Sequence, residues 1–305
     1  MSEPSDKRRR TVCLFSVFYH FGVNIMKKRL IIILCVVSVV VTYLLWGNNS
    51  LTVSLYSVTP NGLPEQFDGY RIVQISDLHN KDFGKRLTDK IEELKPDIIV
   101  ITGDIIDSYS TELSVAAEFV ENACKAAPVY YVTGNHESRL QEEYASLRAV
   151  MEDAGVTVLD GRVAVIEKNG GEICLAGVDD PSFFGSYLLG ENEIQFKEAL
   201  SLLKEQAGGR VSVLLSHRPE YFEMYAELGF DLVFSGHAHG GQIRLPFIGG
   251  IFAPGQGVFP DYTSGVCKSG ETSMIVSRGL GNSIFPFRVG NCPEVVVCEL
   301  KCTGE

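Results

Sequence analysis

The chain has 305 residues, 45% of them hydrophobic with 17 Phe and 12 Tyr, enough to bury a substantial core in one large domain or two small ones and to set disorder aside. The formal charge is −11, yet residues 1–50 carry seven Lys and Arg against Glu3 and Asp6, so the other 255 residues stand at −16. Coating a nucleic-acid backbone needs a basic face, and this composition argues against it.

The first predicted element is an apolar helix. Residues 30–46 carry no charge and follow Lys27-Lys28-Arg29. Seventeen residues at 1.5 Å each rise ~25 Å, enough for a thin bilayer, with Tyr43 and Trp46 suited to the far interface. No Lys or Arg follows before Arg71, so the positive-inside rule makes residues 1–29 a basic cytoplasmic segment, 30–46 a single transmembrane anchor, and the domain extracytoplasmic. A cleaved signal peptide fits less well, because no small-x-small site closely follows the apolar run. Arg8-Arg9-Arg10 faintly resembles a twin-arginine signal, and Met26 offers an alternative start. Residues 47–66, polar with Pro60 and Pro64, read as a spacer, leaving residues 67–305 as the folded domain.

Within that domain strands alternate with helices. Arg71–Ser76 reads as a buried strand with Asp77-Leu78-His79 at its end, Lys85–Lys95 as a helix, and Asp97–Thr102 as a second strand ending in Gly103-Asp104. A β-α-β unit makes these strands parallel neighbours, so Asp77, His79 and Asp104 share one rim. The pattern repeats with a helix over Glu112–Ala126, a strand over Pro128–Thr133 ending in Gly134-Asn135-His136-Glu137, and a helix over Gln141–Asp153. Short strand-like runs follow at Thr157–Leu159, Arg162–Ile166 and Ile173–Gly177, then a helix near Glu191–Gln206 and a strand over Val211–Ser216 capped by His217. Asp231–Phe234 is the last strand before Ser235-Gly236-His237-Ala238-His239-Gly240-Gly241. The Gly- and Pro-rich tail, with β runs at Thr272–Ser277 and Glu294–Leu300, is expected to complete a second sheet. Substrate choice is expected to lie in loops such as Asp180–Gly190.

Five of the six histidines, His79, His136, His217, His237 and His239, each close a short apolar segment; only His20 lies elsewhere. A lone histidine is ordinarily a packing or surface residue, but five placed alike, with Asp77, Asp104 and Asn135 at equivalent strand ends, point to metal. These are nitrogen and oxygen donors without thiolates, so Mn, Fe or Zn fits and soft-metal or iron–sulfur sites do not. The eight cysteines show no C-x2-C spacing, although Cys267, Cys292, Cys298 and Cys302 leave room for one disulfide outside the cytoplasm. Seven donors exceed what one tetrahedral ion uses and suit two divalent ions sharing a carboxylate. Such ions, about 3.5–4 Å apart, can bind a bridging hydroxide and hold both the attacking and departing oxygens of an in-line phosphoryl displacement.

Asp77-x-His79, Gly103-Asp104-x-x-Asp107, Gly134-Asn135-His136-Glu137, Ser216-His217 and Gly236-His237-x-His239, in that order, resemble the five signature blocks of the calcineurin-like metallophosphoesterases. Any single block occurs by chance; five in order are specific, and the match spans roughly residues 69–300. The resemblance implies an α/β, four-layer α-β-β-α sandwich of two mixed sheets with the site at strand carboxyl ends. It further implies that Asp77, His79 and His239 hold the first ion, that Asn135, His217 and His237 hold the second, and that Asp104 bridges. His136 then faces the leaving oxygen without ligating, and Asp107 orients it, since a carboxylate on one imidazole nitrogen fixes the tautomer. Taken alone, Asp107 reads equally as a helix N-cap, and Glu137 as a structural residue. Gly240–Pro246 and Arg278-Gly279-Leu280-Gly281-Asn282 resemble the family's membrane-associated branch, which includes enzymes of the UDP-2,3-diacylglucosamine pyrophosphatase kind acting on lipid-linked pyrophosphates. There Arg278 could clamp a substrate phosphate; otherwise it is a solvated turn residue.

The expected activity is hydrolysis of a phosphodiester or pyrophosphate, with manganese favoured, on a substrate that is lipid-linked or in the cell envelope. No obligate protein partner is evident. A phosphomonoesterase using the same centre is the nearest rival, although Asp107 is followed by Ser108-Tyr109 rather than the Arg-Gly of protein phosphatases. A metallo-β-lactamase-like site needs H-x-H-x-D-H, and Gly240 and Gly241 break that pattern. A non-catalytic, surface-anchored metal-binding protein is the rival from another class, and the presence of His136 speaks against it.

Overall fold

The computed structural model describes residues 5–109, 112–185, 191–282 and 285–303, with side chains from Met26 onward. Residues 1–4 of the basic N-terminal segment and 186–190 of the Asp180–Gly190 loop lie outside the described residues. Helix α1 runs from Ser5 to Asn49. Its stretch Met26–Asn49, which contains the predicted 30–46 run, is long and apolar enough for a membrane span or a signal sequence.

From residue 47 onward the chain builds two six-stranded sheets. The first has the order β1 (Thr52–Val58), β16 (Glu294–Leu300), β2 (Arg71–Ile75), β3 (Ile98–Thr102), β4 (Val129–Val132), β5 (Thr157–Val158). The second has the order β14 (Gly265–Ser269), β15 (Thr272–Val276), β9 (Leu232–Ser235), β8 (Ser212–Leu215), β7 (Gly171–Gly177), β6 (Arg162–Lys168). Both are mixed: β2 to β5 run parallel while β16 opposes β2, and β15, β9, β8 and β7 run parallel while β14 and β6 oppose their neighbours.

Burial explains why the central strands read as unbroken apolar runs. Every residue of Ile98–Thr102 is buried, because Ile99 and Ile101 face one core and Ile98 and Val100 another. Outside the first sheet lie α2 (Lys85–Leu94), α3 (Leu113–Ala126) and α5 (Gln141–Asp153). Helix α3 presents Ala116, Phe119, Val120 and Ala123, a helical stripe, to that core. Between the sheets Ile72, Val100 and Val296 meet Leu175, Val213 and Phe234. On the far side α6 (Glu191–Ala207) and α7 (Phe222–Glu227) cover the second sheet through Phe196, Leu200, Leu203 and Tyr225. The architecture is therefore the expected four-layer α-β-β-α sandwich.

Two expectations are corrected. Thr52–Val58, read as part of a spacer, forms an edge strand paired in parallel with Glu294–Leu300. That last strand lies in the first sheet rather than the second, between β1 and β2. Both sheets are covered on both faces, so an apolar strand suits either; only long-range pairing assigns it.

Candidate metal centre

Strands β2, β3, β4, β8 and β9 deliver the predicted donors just beyond their carboxyl ends. Asp77, His79, Asp104, His237 and His239 all take positive φ, between 46° and 63°, which non-glycine residues adopt at a cost of order 1–3 kcal/mol each. The turn out of the strand is what brings these side chains inward, and buried hydrogen bonds hold it. The Asp77 amide donates to Gly103 O and the His79 amide to Asp104 O, each at 3.0 Å. The Glu137 carboxylate accepts from the amides of Asp104 (3.0 Å), Ile105 (2.8 Å) and Gly134 (2.7 Å), so it splints two loops as a structural residue. Gly134 permits a close approach: a Cβ there would stand 2.2 Å from Asp104 Oδ1. Asn135 and His136 open the short helix α4 (Asn135–Arg139), and the His136 amide donates to Asp104 Oδ1 at 2.8 Å.

The side chains converge in two groups that share one carboxylate. In the first, His79 Nε2 and His239 Nε2 lie 3.2 Å apart, with Asp77 Oδ1 3.3 Å from His239 Nε2 and Asp104 Oδ2 3.6 Å from His79 Nε2. In the second, His217 Nε2 lies 3.1 Å from His237 Nδ1 and 3.2 Å from Asp104 Oδ2. Thr102 O, 2.7 Å from His217 Nδ1, can only accept, so the neutral ring carries its proton there and turns a lone pair at Nε2 toward Asp104.

This cluster demands cations. Ring nitrogens of His79 and His239, and of His217 and His237, are brought within hydrogen-bond distance of each other, and among the described residues no Lys or Arg pairs with Asp77 or Asp104. Burial pushes the Asp77 carboxyl up to about 6 and the His79 imidazole down to about 4. Burial also disfavours a charged His217, yet Asp104 beside it prevails and holds that group up at about 10. Asn135 Oδ1 is buried without a hydrogen-bond partner, an orphan acceptor of the kind a metal satisfies. The donor set therefore fits a dinuclear divalent centre.

His136 lies edge-on to His79, with ring centroids 4.5 Å apart. Two residues, Ser108 and Asp107, face its Nδ1. The Ser108 amide donates to His136 Nδ1 at 2.9 Å, while Asp107 Oδ1 stands at 3.5 Å and accepts instead from the Tyr109 amide at 2.8 Å. Arg278 does not line the cleft. It ion-pairs with Glu294 at 3.0 Å and donates to Thr52 Oγ1, and its loop supports the ligands from behind: the Gly281 amide donates to Asp77 O at 2.6 Å. The buried Arg288 guanidinium holds that loop by donating to Gly281 O and Arg278 O.

The cleft over the centre has a volume of about 160 Å³ and is lined by Tyr109, Arg139, Arg218 and Pro254 beside the donors. Arg218 was missed in the sequence although it follows His217 directly. Its guanidinium is fixed by the buried Asp180 through a bidentate pair (2.6 and 3.1 Å), and Nη1 lies 3.1 Å from His237 Nε2. Asp180, just past β7, gave no signal of its own.

The calcineurin-like phosphoesterase family matches residues 70–241. Uncharacterized metallophosphoesterase YkuE of Bacillus subtilis (strain 168) is 34% identical over 257 residues, 82% of this chain and 85% of its own. Phosphodiesterase YaeI of Escherichia coli (strain K12) is 28% identical over 238 residues, 76% of this chain and 82% of its own. A transmembrane protein with metallophosphoesterase domain from Danio rerio is 28% identical over 251 residues, 78% of this chain and 55% of its own.

Proposed function

The chain belongs to the calcineurin-like phosphoesterase family of metal-dependent phosphoric ester hydrolases, and on that premise we propose that it cleaves a phosphodiester or pyrophosphate bond in a lipid-linked or cell-envelope substrate. Asp77, His79 and His239 would hold one divalent ion and Asn135, His217 and His237 the other, with Asp104 shared between them. Manganese is favoured, because carboxylate, amide and imidazole donors without thiolate suit it. Bound there, such ions supply Lewis acidity to the phosphoryl oxygens and acidify water. His136 donates to the leaving oxygen, and Arg218, held by Asp180, takes a phosphoryl oxygen. The observation that carries this reading is Asp104 Oδ2 lying within 3.6 Å of His79 Nε2 and 3.2 Å of His217 Nε2.

Residues 30–46, within the apolar helix stretch Met26–Asn49, act as a membrane span with the basic Lys27-Lys28-Arg29 on the cytoplasmic side and the domain outside. The apolar length of that helix supports this, as does the description of the Danio rerio relative as a transmembrane protein. A 160 Å³ cleft admits the phosphoryl group and little more, so the rest of a lipid-linked substrate would lie outside it. The test is hydrolysis of bis(p-nitrophenyl) phosphate by the Mn-loaded full chain, beside p-nitrophenyl phosphate and a pyrophosphate lipid. Hydrolysis of the diester or pyrophosphate, abolished by chelator, is expected; inertness toward both would overturn the proposal, and preference for the monoester would replace it.

A further inference from the structure

Residues 245–260, Leu-Pro-Phe-Ile-Gly-Gly-Ile-Phe-Ala-Pro-Gly-Gln-Gly-Val-Phe-Pro, form an uncharged stretch in a chain whose domain is strongly acidic. They fold into two small hairpins: β10 (Arg244–Leu245) pairs with β11 (Gly249–Gly250), and β12 (Phe252–Ala253) with β13 (Gly257–Val258). Ala253 is buried in the core, but most of the other apolar side chains are outside. Phe247, in the first turn, is 108% exposed, Ile248 59%, Val258 64% and Phe259 66%, with Leu245 and Phe252 also exposed. Single exposed apolar residues are ordinary, whereas six within one short segment mark a surface built to meet something apolar.

The hairpins are clamped to the metal-binding turn. A Cβ on Gly241 would stand 2.4 Å from Gly250 Cα, the Ile251 amide donates to Gly241 O and Ile243 O, and Arg244 donates to Gly240 O at 2.9 Å. Pro254, next to β12, lines the cleft beside His237 and His239. The same segment therefore supplies one wall of the cleft and an apolar prominence beside it.

We infer that this prominence inserts into the lipid interface and sets the cleft at the membrane surface, where the headgroup of a lipid-linked phosphate ester would enter it. The inference rests on the reading of residues 30–46 as a membrane span, which would confine the domain to a bilayer surface. A convex turn tipped by a fully exposed Phe suits a deformable lipid phase, since a protein partner would have to offer a matching hollow. Aromatic side chains flanked by glycine and proline, with no charge to desolvate, are what the interfacial region accepts.

The test uses the full chain in phosphatidylcholine nanodiscs. Trp46 is the sole tryptophan, so Trp46→Phe with Phe247→Trp makes the indole at position 247 the single reporter. Blue-shifted emission, quenched at least twofold by chain-brominated lipid, is expected; water-exposed, unquenched emission overturns the inference, and a blue shift that depends on protein concentration and not on bromine assigns the surface to a second copy instead. In parallel, Phe247→Asp with Phe259→Asp should lower hydrolysis of a disc-embedded phosphate ester at least tenfold while leaving bis(p-nitrophenyl) phosphate unchanged. An equal loss on both esters, or none on either, counts against docking. If the reporter is quenched and no ester is cleaved by the parent chain, the hydrolase reading fails while docking stands; cleavage with a water-exposed reporter gives the converse.

Discussion

The Ser108 amide donates to His136 Nδ1 at 2.9 Å. An amide cannot accept, so the neutral ring keeps its proton on Nε2, the nitrogen left for a substrate oxygen. Replacing His136 by Ala should leave about two metal ions per chain by elemental analysis while turnover falls roughly 10²- to 10⁴-fold, the usual contribution of a positioned proton donor. Loss of metal along with turnover would make His136 a ligand instead.

Asp104 is the one carboxylate common to both donor groups. Asp104→Asn keeps its shape but removes the charge and half the acceptor capacity. Metal content should drop to one ion or fewer, and hydrolysis of the diester should fall on the order of 10³-fold, equivalent to several kcal/mol of lost charge stabilisation. Full metal occupancy in that variant would contradict the bridging role.

Arg218 and Arg278 make opposite predictions for kcat/KM. Arg218→Ala should reduce kcat/KM roughly 10- to 100-fold, the value of a hydrogen bond to a charged oxygen, and also lower stability by about 1–3 kcal/mol because the buried Asp180 loses its bidentate partner. Arg278→Ala should leave kcat/KM within about twofold but lower stability by about 1–3 kcal/mol in denaturant titration, because the buried Glu294 loses its cationic partner and keeps only the Ser54 hydroxyl and the residue 278 amide. Reversed effects on kcat/KM would return the phosphate clamp to Arg278.

Gly281 packs where a side chain has no room, since a Cβ would lie 2.4 Å from Leu78 O and 2.8 Å from His79 Cβ. Gly281→Ala should therefore cost about 1–3 kcal/mol and weaken metal affinity by displacing His79. Denaturant titration and metal competition measure the two effects separately.

Burial holds the Asp179 carboxyl up at about 6, although Thr133 Oγ1 donates to it at 2.8 Å. Between its ordinary 3.8 and 6 the folded state binds more protons than the unfolded chain, so this group's contribution falls as pH rises through that window and returns as pH drops. Relative to the parent, Asp179→Asn should lose a pH-dependent stability difference of at most about 3 kcal/mol between pH 6 and 4. Parallel stability–pH curves would show that Asp179 titrates normally.

The donors were legible because each stands in a short motif at the end of an apolar run, and a strand that ends in a turn must place the next few residues at one edge of a parallel sheet. The second tier was less legible. Glu137 carries a motif, but Asp180, Asn291 and Arg288 act through backbone carbonyls or another side chain at a distance in sequence, as when Asn291 Nδ2 donates to His239 O at 2.7 Å, and no spacing marks such contacts.

The amino-acid sequence by itself determined the alternation of strands and helices, the candidate donor residues and the apolar N-terminal helix, which follow from periodicity and residue type within short windows, while the four-layer architecture was implied by the resemblance of its motifs to the family's. Tertiary structure alone decided that Thr52–Val58 and Glu294–Leu300 lie in the first sheet, that Arg278 supports while Arg218 faces the cleft, and that the Ser108 amide lies nearer His136 Nδ1 than the Asp107 carboxylate does. Those outcomes depend on pairing and side-chain geometry between segments far apart in the chain, where a displacement of an ångström changes which partner lies within hydrogen-bond range.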